Sequence, residues 1–260
     1  MLIPIGDDNQ GRLTKPYVVY ILIAINAVVF FLQLNDDRFT LAYSAVPYKI
    51  THNVRVIPPG HGALPPGIEE DPRIASGRIP VRGAPQEPAP DLIWLTLITS
   101  MFMHGNWMHI LGNMLYLWIF GDNVEDNFGH LKFLIFYLVC GVAASFSQIF
   151  VDPDSAIPSL GASGAIAGVL GAYLIMFPRN RVRAVVPLGI LFFTPIELPA
   201  VVVLGFWIVI QIFSQYTATF GHAQGGVAYM AHIGGFATGL LLCFLFRSRN
   251  NMRGPRASYQ

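Results

Sequence analysis

Long apolar stretches recur along the chain, and six of them are long enough to cross a bilayer, which takes roughly 17–25 predominantly apolar residues. A further apolar stretch, Ala184–Thr194, is interrupted by Pro187 and is too short to span, so we expect it to lie at the interface or to dip into the membrane. The pattern predicts an all-α polytopic membrane protein, a bundle of six membrane-spanning helices. The predicted spans are Tyr17–Leu34, Met103–Phe120, Leu131–Val151, Leu160–Phe177, Leu198–Gln215 and Gly226–Phe246.

The distribution of Lys and Arg orients these helices, because short cytoplasmic segments are enriched in positive charge. With the N-terminus inside, ten of the 16 Lys and Arg residues fall in inside segments, and the outside loops Asp152–Ser159 and Thr217–Gly225 hold none. The other six lie in the first outside loop, residues 35–91, whose length makes it a weak reporter of orientation. We therefore expect both termini to lie inside.

This topology divides the chain into three parts. Residues 1–16 form a cytoplasmic tail, residues 17–246 a membrane-embedded domain, and residues 247–260 a basic cytoplasmic tail. Runs of Pro and Gly fill the long first outside loop, residues 35–91, so we expect irregular structure or a short interfacial helix there, not a second domain.

Composition supports the membrane assignment and excludes other classes. The chain is 53% hydrophobic and only 12% charged, whereas a soluble domain carries about 25% charged residues. A net charge of +1 gives no basis for binding nucleic acid. Cys140 and Cys243 both lie in apolar stretches, which favours buried small hydrophobes over a disulfide or a metal site. We expect no cofactor and no metal.

Five polar side chains fall at a common depth in the predicted spans. Spans two, four and six all run from outside to inside, which places Ser163, His232, His104, His109 and Asn113 in the outer half of the bilayer. Polar residues at such depth are costly and indicate function. The shared depth predicts that they form one site, in a hydrolase that works inside the membrane.

Ser163, within Gly161–Gly164, has two compatible interpretations. The neighbouring glycines, with Gly168 further along, are typical of close helix packing, and span six offers a matching strip at Gly235 and Gly239. The alternative is a nucleophile, which needs an adjacent base to take the hydroxyl proton. Close packing of spans four and six would bring His232 to Ser163.

The histidines leave alternatives open. His232 by itself could be structural, a metal ligand or a proton carrier, and beside a serine it is best explained as a base. His104, His109 and His232 could together bind zinc, although no carboxylate or thiol joins them. His109 and Asn113 share a helix face, and both side chains can donate to the oxygen of a tetrahedral intermediate.

No acidic residue lies in the outer half of spans two, four or six. The sequence therefore predicts a Ser–His dyad in which packing, not a carboxylate, orients His232. Glu125 and Asp126 fall on the inside loop between spans two and three, where we expect them to cap a helix and hold the turn, with an ion site as the weaker alternative.

Three motifs in this order resemble the rhomboid family of intramembrane serine proteases: His104–Asn113, Gly161–Gly164 and Ala231–Gly235. The resemblance implies a six-helix bundle whose water-filled site opens to the outside. It implies Ser163 as nucleophile and His232 as general base. The implied oxyanion donors are Asn113, His109 and the Ser163 backbone N–H, with His104, Gly161 and Gly164 in supporting roles.

Two positions depart from the pattern of many family members. Trp94 is followed by Leu95, where relatives carry arginine, and Ala167 stands where some relatives have an aromatic residue that supports the histidine. These departures concern the first loop and the support of the dyad.

The function implied by the resemblance is an intramembrane serine endopeptidase that cleaves single-pass membrane proteins in or near their membrane segment. The expected partners are these substrates and the lipid bilayer, and the oligomeric state is left open. The expected location is a bacterial-type plasma membrane, with the active site facing outside. The alternatives are a catalytically inactive rhomboid-like protein that binds and routes membrane proteins, and a transporter or channel.

Overall fold

The computed structural model describes residues 3–9, 11–57, 88–185, 195–220 and 227–247. Within them the chain is mostly helical, as predicted. Single 3₁₀ turns at Ile93–Leu95 and Ser100–Phe102 flank α4. The α-helices are α1 (Tyr17–Gln33), α2 (Asp37–Tyr43), α3 (Pro47–Thr51), α4 (Thr96–Thr99), α5 (Trp107–Phe128), α6 (His130–Val151), α7 (Ser163–Met176), α8 (Ala200–Phe220) and α9 (Tyr229–Phe246).

Three of the described helices are long and apolar enough to cross a membrane: α6, the Ala200–Thr219 part of α8, and α9. The apolar helices α1 and α7 are shorter, with 17 and 14 residues. Helix α5 has 22 residues, but its last turns carry Asp122, Glu125 and Asp126. These apolar helices are those of an integral membrane protein.

Two predicted boundaries shift for local reasons. Span two was expected to begin at Met103, but α5 starts at Trp107, because the Asn106 side chain caps it by accepting from the His109 N–H at 2.8 Å. Span four was expected to begin at Leu160, but Gly161 has a φ of 121°, which a right-handed helix does not allow. Helix α7 therefore begins at Ser163.

A small antiparallel sheet is absent from the all-α prediction, which is wrong in this detail. Strands β1 (Ile3–Asp7), β2 (Arg181–Val185) and β3 (Pro195–Pro199) pair in the order β1-β2-β3. Gly6 faces Arg183, which in turn faces Glu197. Each strand has only five residues, and β1 pairs with a strand far along the chain, so no local pattern predicts the sheet.

The described part of the long first outside loop contains two short helices. Helices α2 and α3 lie there, in line with the expected short helix, while residues 58–87 lie outside the described residues. The apolar stretch Ala184–Thr194 begins at the end of β2, and its residues 186–194 also lie outside the description, as do residues 248–260 of the basic tail.

Helix α7 forms the centre of the molecule, with every residue from Gly164 to Tyr173 buried. Its backbone touches that of α9: a Cβ at Gly235 would collide with the carbonyl oxygen of Gly164, and one at Gly239 with that of Gly168. Only glycine permits this approach. Cys140 and Cys243 are free and buried beside it, as predicted.

Glu125 and Asp126 lie in the last turns of α5, not on a loop. Glu125 binds the start of α1, and Asp126 binds the segment just before it. Glu125, fully buried, accepts from the backbone N–H groups of Val18 at 2.9 Å and Val19 at 2.8 Å. Asp126 accepts from the N–H of Thr14 at 2.6 Å. The expectation of a helix cap was correct, but the capped helix is α1, whose own N-cap residue makes no side-chain bond.

A buried carboxyl at the same end ties β1 to the bundle. Tyr173 of α7 donates its hydroxyl to Asp7 Oδ2 at 2.6 Å, and Asn123 of α5 donates its amide at 2.8 Å. Arg12 pairs with Asp122 beside them. Burial raises the pKa of Asp7 from 3.8 to about 6, although the bonds from Tyr173 and Asn123 lower it in part.

The Asp7→Asn substitution is expected to reduce the pH dependence of stability. A raised pKa in the folded state means that the stabilising contribution of Asp7 is complete below about pH 4 and is lost as pH rises through about 6. For wild type, the free energy of unfolding falls by a few kcal/mol over this pH range, on the order of 1.4 kcal/mol per pKa unit. Thermal unfolding in detergent micelles between pH 4 and pH 7 measures this pH dependence. Equal slopes of stability against pH for wild type and Asp7→Asn would contradict the prediction.

Candidate active site

Ser163 is the first residue of α7, and the segment before it is held by backbone bonds. Ser159 exchanges two hydrogen bonds with Ala45, of 2.7 and 3.0 Å, and the Gly161 N–H donates to the Ser100 carbonyl at 2.9 Å. The first N–H groups of a helix have no partner within it and carry partial positive charge. Ser163 therefore presents its hydroxyl, and a donor-rich helix start, at a fixed position.

His232 lies in the first turn of α9 and meets Ser163 directly. Its Nε2 is 2.8 Å from the Ser163 Oγ. Its Nδ1 is 2.7 Å from the Oε1 of Gln211 on α8. Since an amide oxygen only accepts, Nδ1 carries the proton, which leaves the Nε2 lone pair to accept from the serine hydroxyl.

Gln211 is the residue that the sequence-based prediction missed. Packing alone was expected to orient His232, and the structure adds this hydrogen bond as well as an aromatic neighbour. The ring of Trp207, one turn before Gln211, lies 5.8 Å from the His232 ring. The prediction considered only acidic residues as partners of His232, whereas both neighbours are uncharged and lie on the fifth span.

His109 and Asn113 of α5 face Gly161 from the other side of the site. A Cβ at Gly161 would lie 2.7 Å from His109 Nε2 and 3.7 Å from Asn113 Nδ2, so glycine is needed here for space as well as for its φ. The Gly105 N–H donates to His109 Nδ1 at 3.4 Å, which puts the ring proton on Nε2, toward Gly161.

Asn113 has a donor without a partner. Its Nδ2 is buried and makes no hydrogen bond within the described residues. A buried donor left unpaired costs about 1–3 kcal/mol. Beside the Gly161 turn, this donor is available to an oxygen atom that enters the site.

His104 lies before α5 and is buried, at 2% exposure. Gln33 of α1 binds both its backbone groups: it accepts from the N–H at 3.0 Å and donates to the carbonyl at 3.3 Å. The His104 ring meets the His109 ring edge-on, with 5.1 Å between centroids. His104 thus links α1 to His109. Among the described residues no three or more His, Cys, Asp or Glu side chains are grouped to hold a metal.

A cavity of about 20 Å³ adjoins Ser163. This volume is about that of one water molecule or a small side chain. Its walls are made mostly by small residues from four parts of the chain, among them Ser100, Gly141, Ala144, Ser145, Gly164 and Ala231.

Sequence comparison with known proteins identifies the family to which this site belongs. The profile of the rhomboid domain matches residues 92–249, which include both neighbours of His232 and all the polar residues of the site. The chain belongs to the rhomboid family. The resemblance inferred from the three motifs is thereby confirmed, and with the apolar helices it supports an integral membrane protein of the protease type.

Individual rhomboid relatives are distant. Over 225 residues the chain is 28% identical to rhomboid protease GluP of Bacillus subtilis, covering 86% of this chain and 34% of that protein. It is 28% identical to the chloroplastic rhomboid-like protein 11 of Arabidopsis thaliana, covering 58% and 52%, and 31% identical to the mitochondrial rhomboid protein 1 of Saccharomyces cerevisiae, covering 56% and 40%. The chain thus spans between a third and about half of the length of these relatives.

Proposed function

We propose that this rhomboid is an intramembrane serine endopeptidase with a Ser163–His232 dyad. The observation that carries the proposal is the 2.8 Å contact between Ser163 Oγ and His232 Nε2, at the starts of two apolar helices packed backbone to backbone. A serine hydroxyl becomes a nucleophile when an adjacent base accepts its proton. Membership of a family that contains proteases supports this assignment.

The reaction follows from the positions of the donors. Ser163 Oγ attacks the scissile carbonyl carbon as its proton moves to His232 Nε2. The carbonyl oxygen becomes negative and accepts from Asn113 Nδ2, His109 Nε2 and the Ser163 backbone N–H. His232 then gives its proton to the leaving amine, and a water molecule, activated by the same base, hydrolyses the acyl-enzyme.

The proposed topology has six spans, with both termini inside and the active site near the outer face. The clustering of the site residues at the starts of α5, α7 and α9 supports a common depth. The polar contacts of Asp7, Asp122 and Glu125 occupy the opposite end of α5 and α7. Arg12 and the β2 arginines lie at the same end, as expected for the cytoplasmic side. A bacterial-type plasma membrane remains the proposed location, although the relatives include chloroplastic and mitochondrial proteins.

The proposed substrates are single-pass membrane proteins that enter laterally near α5 and α8. Helical carbonyls are engaged in hydrogen bonds to the N–H four residues on, so a substrate helix must unwind before its carbonyl reaches Ser163. Helix-destabilising residues are therefore expected near the cut. The small cavity beside Ser163 supports a small side chain immediately before it.

The test is cleavage in liposomes that contain the purified protein and a panel of tagged single-pass substrates, with Ser163→Ala as the matched control. Wild type is expected to release a fragment and to be labelled on Ser163 by a serine-reactive phosphonate. Substrate binding without cleavage, and with no label, would instead favour a non-catalytic protein that binds and routes membrane proteins.

Asn113→Ala is expected to lower kcat by about 10²–10³-fold, the usual effect of one lost oxyanion donor. His109 and the Ser163 N–H remain, so activity should not vanish. Initial rates at saturating substrate measure the effect. An unchanged rate would remove Asn113 from the site.

A further inference from the structure

We infer that Gln211 is a positioning residue that fixes the tautomer and ring orientation of His232. This inference rests on the proposed protease function. The contact is direct, with 2.7 Å between Gln211 Oε1 and His232 Nδ1. Gln211 lies on α8, a helix that carries neither Ser163 nor His232.

The burial pattern of α8 marks Gln211 as exceptional. Beyond Leu204, it is the one buried side chain among the described side chains of this helix, at 6% exposure. Its neighbours Ile212 and Phe213 are exposed, as lipid-facing residues are. An apolar residue would pack at this position without the free-energy cost of removing an amide from water. A buried glutamine in a membrane helix therefore indicates a specific role.

The chemistry of the task is set by the two ring nitrogens. A neutral imidazole carries one proton, and only the tautomer protonated on Nδ1 leaves Nε2 free to accept from Ser163. The Gln211 oxygen selects that tautomer because it accepts from Nδ1–H. When His232 becomes an imidazolium during the reaction, the same bond persists and strengthens, since its donor is then charged.

Trp207 completes the support from the same helix face. Residues 207 and 211 are one turn apart, so both side chains reach His232 from α8. The Trp207 ring lies 5.8 Å from the imidazole with 36° between the planes. Gln211 thus fixes the direction of the Nδ1–H bond, and Trp207 limits the tilt of the ring.

The first test compares Gln211→Met, which keeps the volume but loses the acceptor, with Gln211→Glu, which keeps an acceptor oxygen. Gln211→Met is expected to lower kcat about 10²-fold, the low end of what general-base catalysis contributes, with little change in KM. Gln215→Met is the matched control, because Gln215 lies one turn later on α8 and bonds Thr219 at 3.0 Å instead. It should keep the wild-type rate.

Gln211→Glu is expected to recover most of the activity and to move the acid limb of the kcat–pH profile to higher pH. A carboxylate at Nδ1 favours the imidazolium, so His232 is available as a base only at higher pH. His109 of α5, the other titratable group that interacts with His232, is unchanged in all variants. A role limited to packing would instead leave Gln211→Met as active as wild type, so the shift in Gln211→Glu is interpreted together with the rate of Gln211→Met.

A second measurement does not depend on cleavage. The ¹⁵N NMR shifts of labelled histidine should show His232 of wild type protonated on Nδ1, and a loss of this preference in Gln211→Met. Wild-type kcat in Gln211→Met, or the same tautomer in both proteins, would overturn the role of Gln211. If wild type cleaves nothing, the proposed function fails, and the NMR result still decides whether Gln211 sets the tautomer.

Discussion

Ser163→Ala and His232→Ala should each reduce cleavage by roughly 10⁴-fold or more, while the protein remains folded in the membrane. Ser163 supplies the attacking oxygen, and without His232 its proton has no acceptor within hydrogen-bond distance among the described residues. Both side chains are only partly buried, so their truncation leaves the packing of α7 against α9 intact.

The double variant distinguishes a dyad from two independent contributions. Because the two residues act as a unit, Ser163→Ala/His232→Ala should be little slower than either single variant. Fragment release from a tagged substrate and thermal unfolding in detergent provide the rate and the folding control. Substantial turnover by either single variant would remove that residue from the mechanism.

Gly235→Leu is expected to abolish labelling of Ser163 by a serine-reactive probe and to destabilise the protein by at least about 3 kcal/mol, the upper range for overpacking. Its Cβ would collide with the carbonyl oxygen of Gly164, and a backbone atom cannot rotate away. Helices α7 and α9 must then separate, which withdraws His232 from Ser163. Gly164→Leu should act similarly through α6, because its Cβ would lie 2.5 Å from the Ala144 Cβ.

The matched control is Gly205→Leu on α8, where an added Cβ meets nothing within 4 Å. It should keep both the labelling of Ser163 and the unfolding temperature of wild type. Full labelling together with wild-type stability in Gly235→Leu and Gly164→Leu would show that neither glycine sets the helix spacing.

The polar residues of the site could be found from the sequence because depth in a membrane is almost linear in residue number. The sequence predicted a common depth for five polar residues, because a serine, three histidines and an asparagine lie at similar distances from the starts of their helices. The structure places Ser163 and His232 in contact and puts His109 and Asn113 beside Gly161. It places His104 before α5, where its ring supports His109.

The remaining features depend on contacts that local patterns do not encode. Glu125 pairs with N–H groups more than a hundred positions earlier, and the strands β1 and β2 are still further apart in the chain. Gln211, by contrast, could have been found. It is a polar residue in the outer half of the predicted fifth span, as Ser163 is in the fourth.

The capping of α1 by Glu125 has a consequence for the order of events during synthesis. Val18 is made 107 positions before Glu125, which is roughly 5–20 s at ordinary elongation rates. Until Glu125 has been made, the amide groups at the start of α1 lack the carboxylate that binds them in the folded protein. The first helix is therefore free to shift along its axis until Glu125 emerges from the ribosome and fixes its depth.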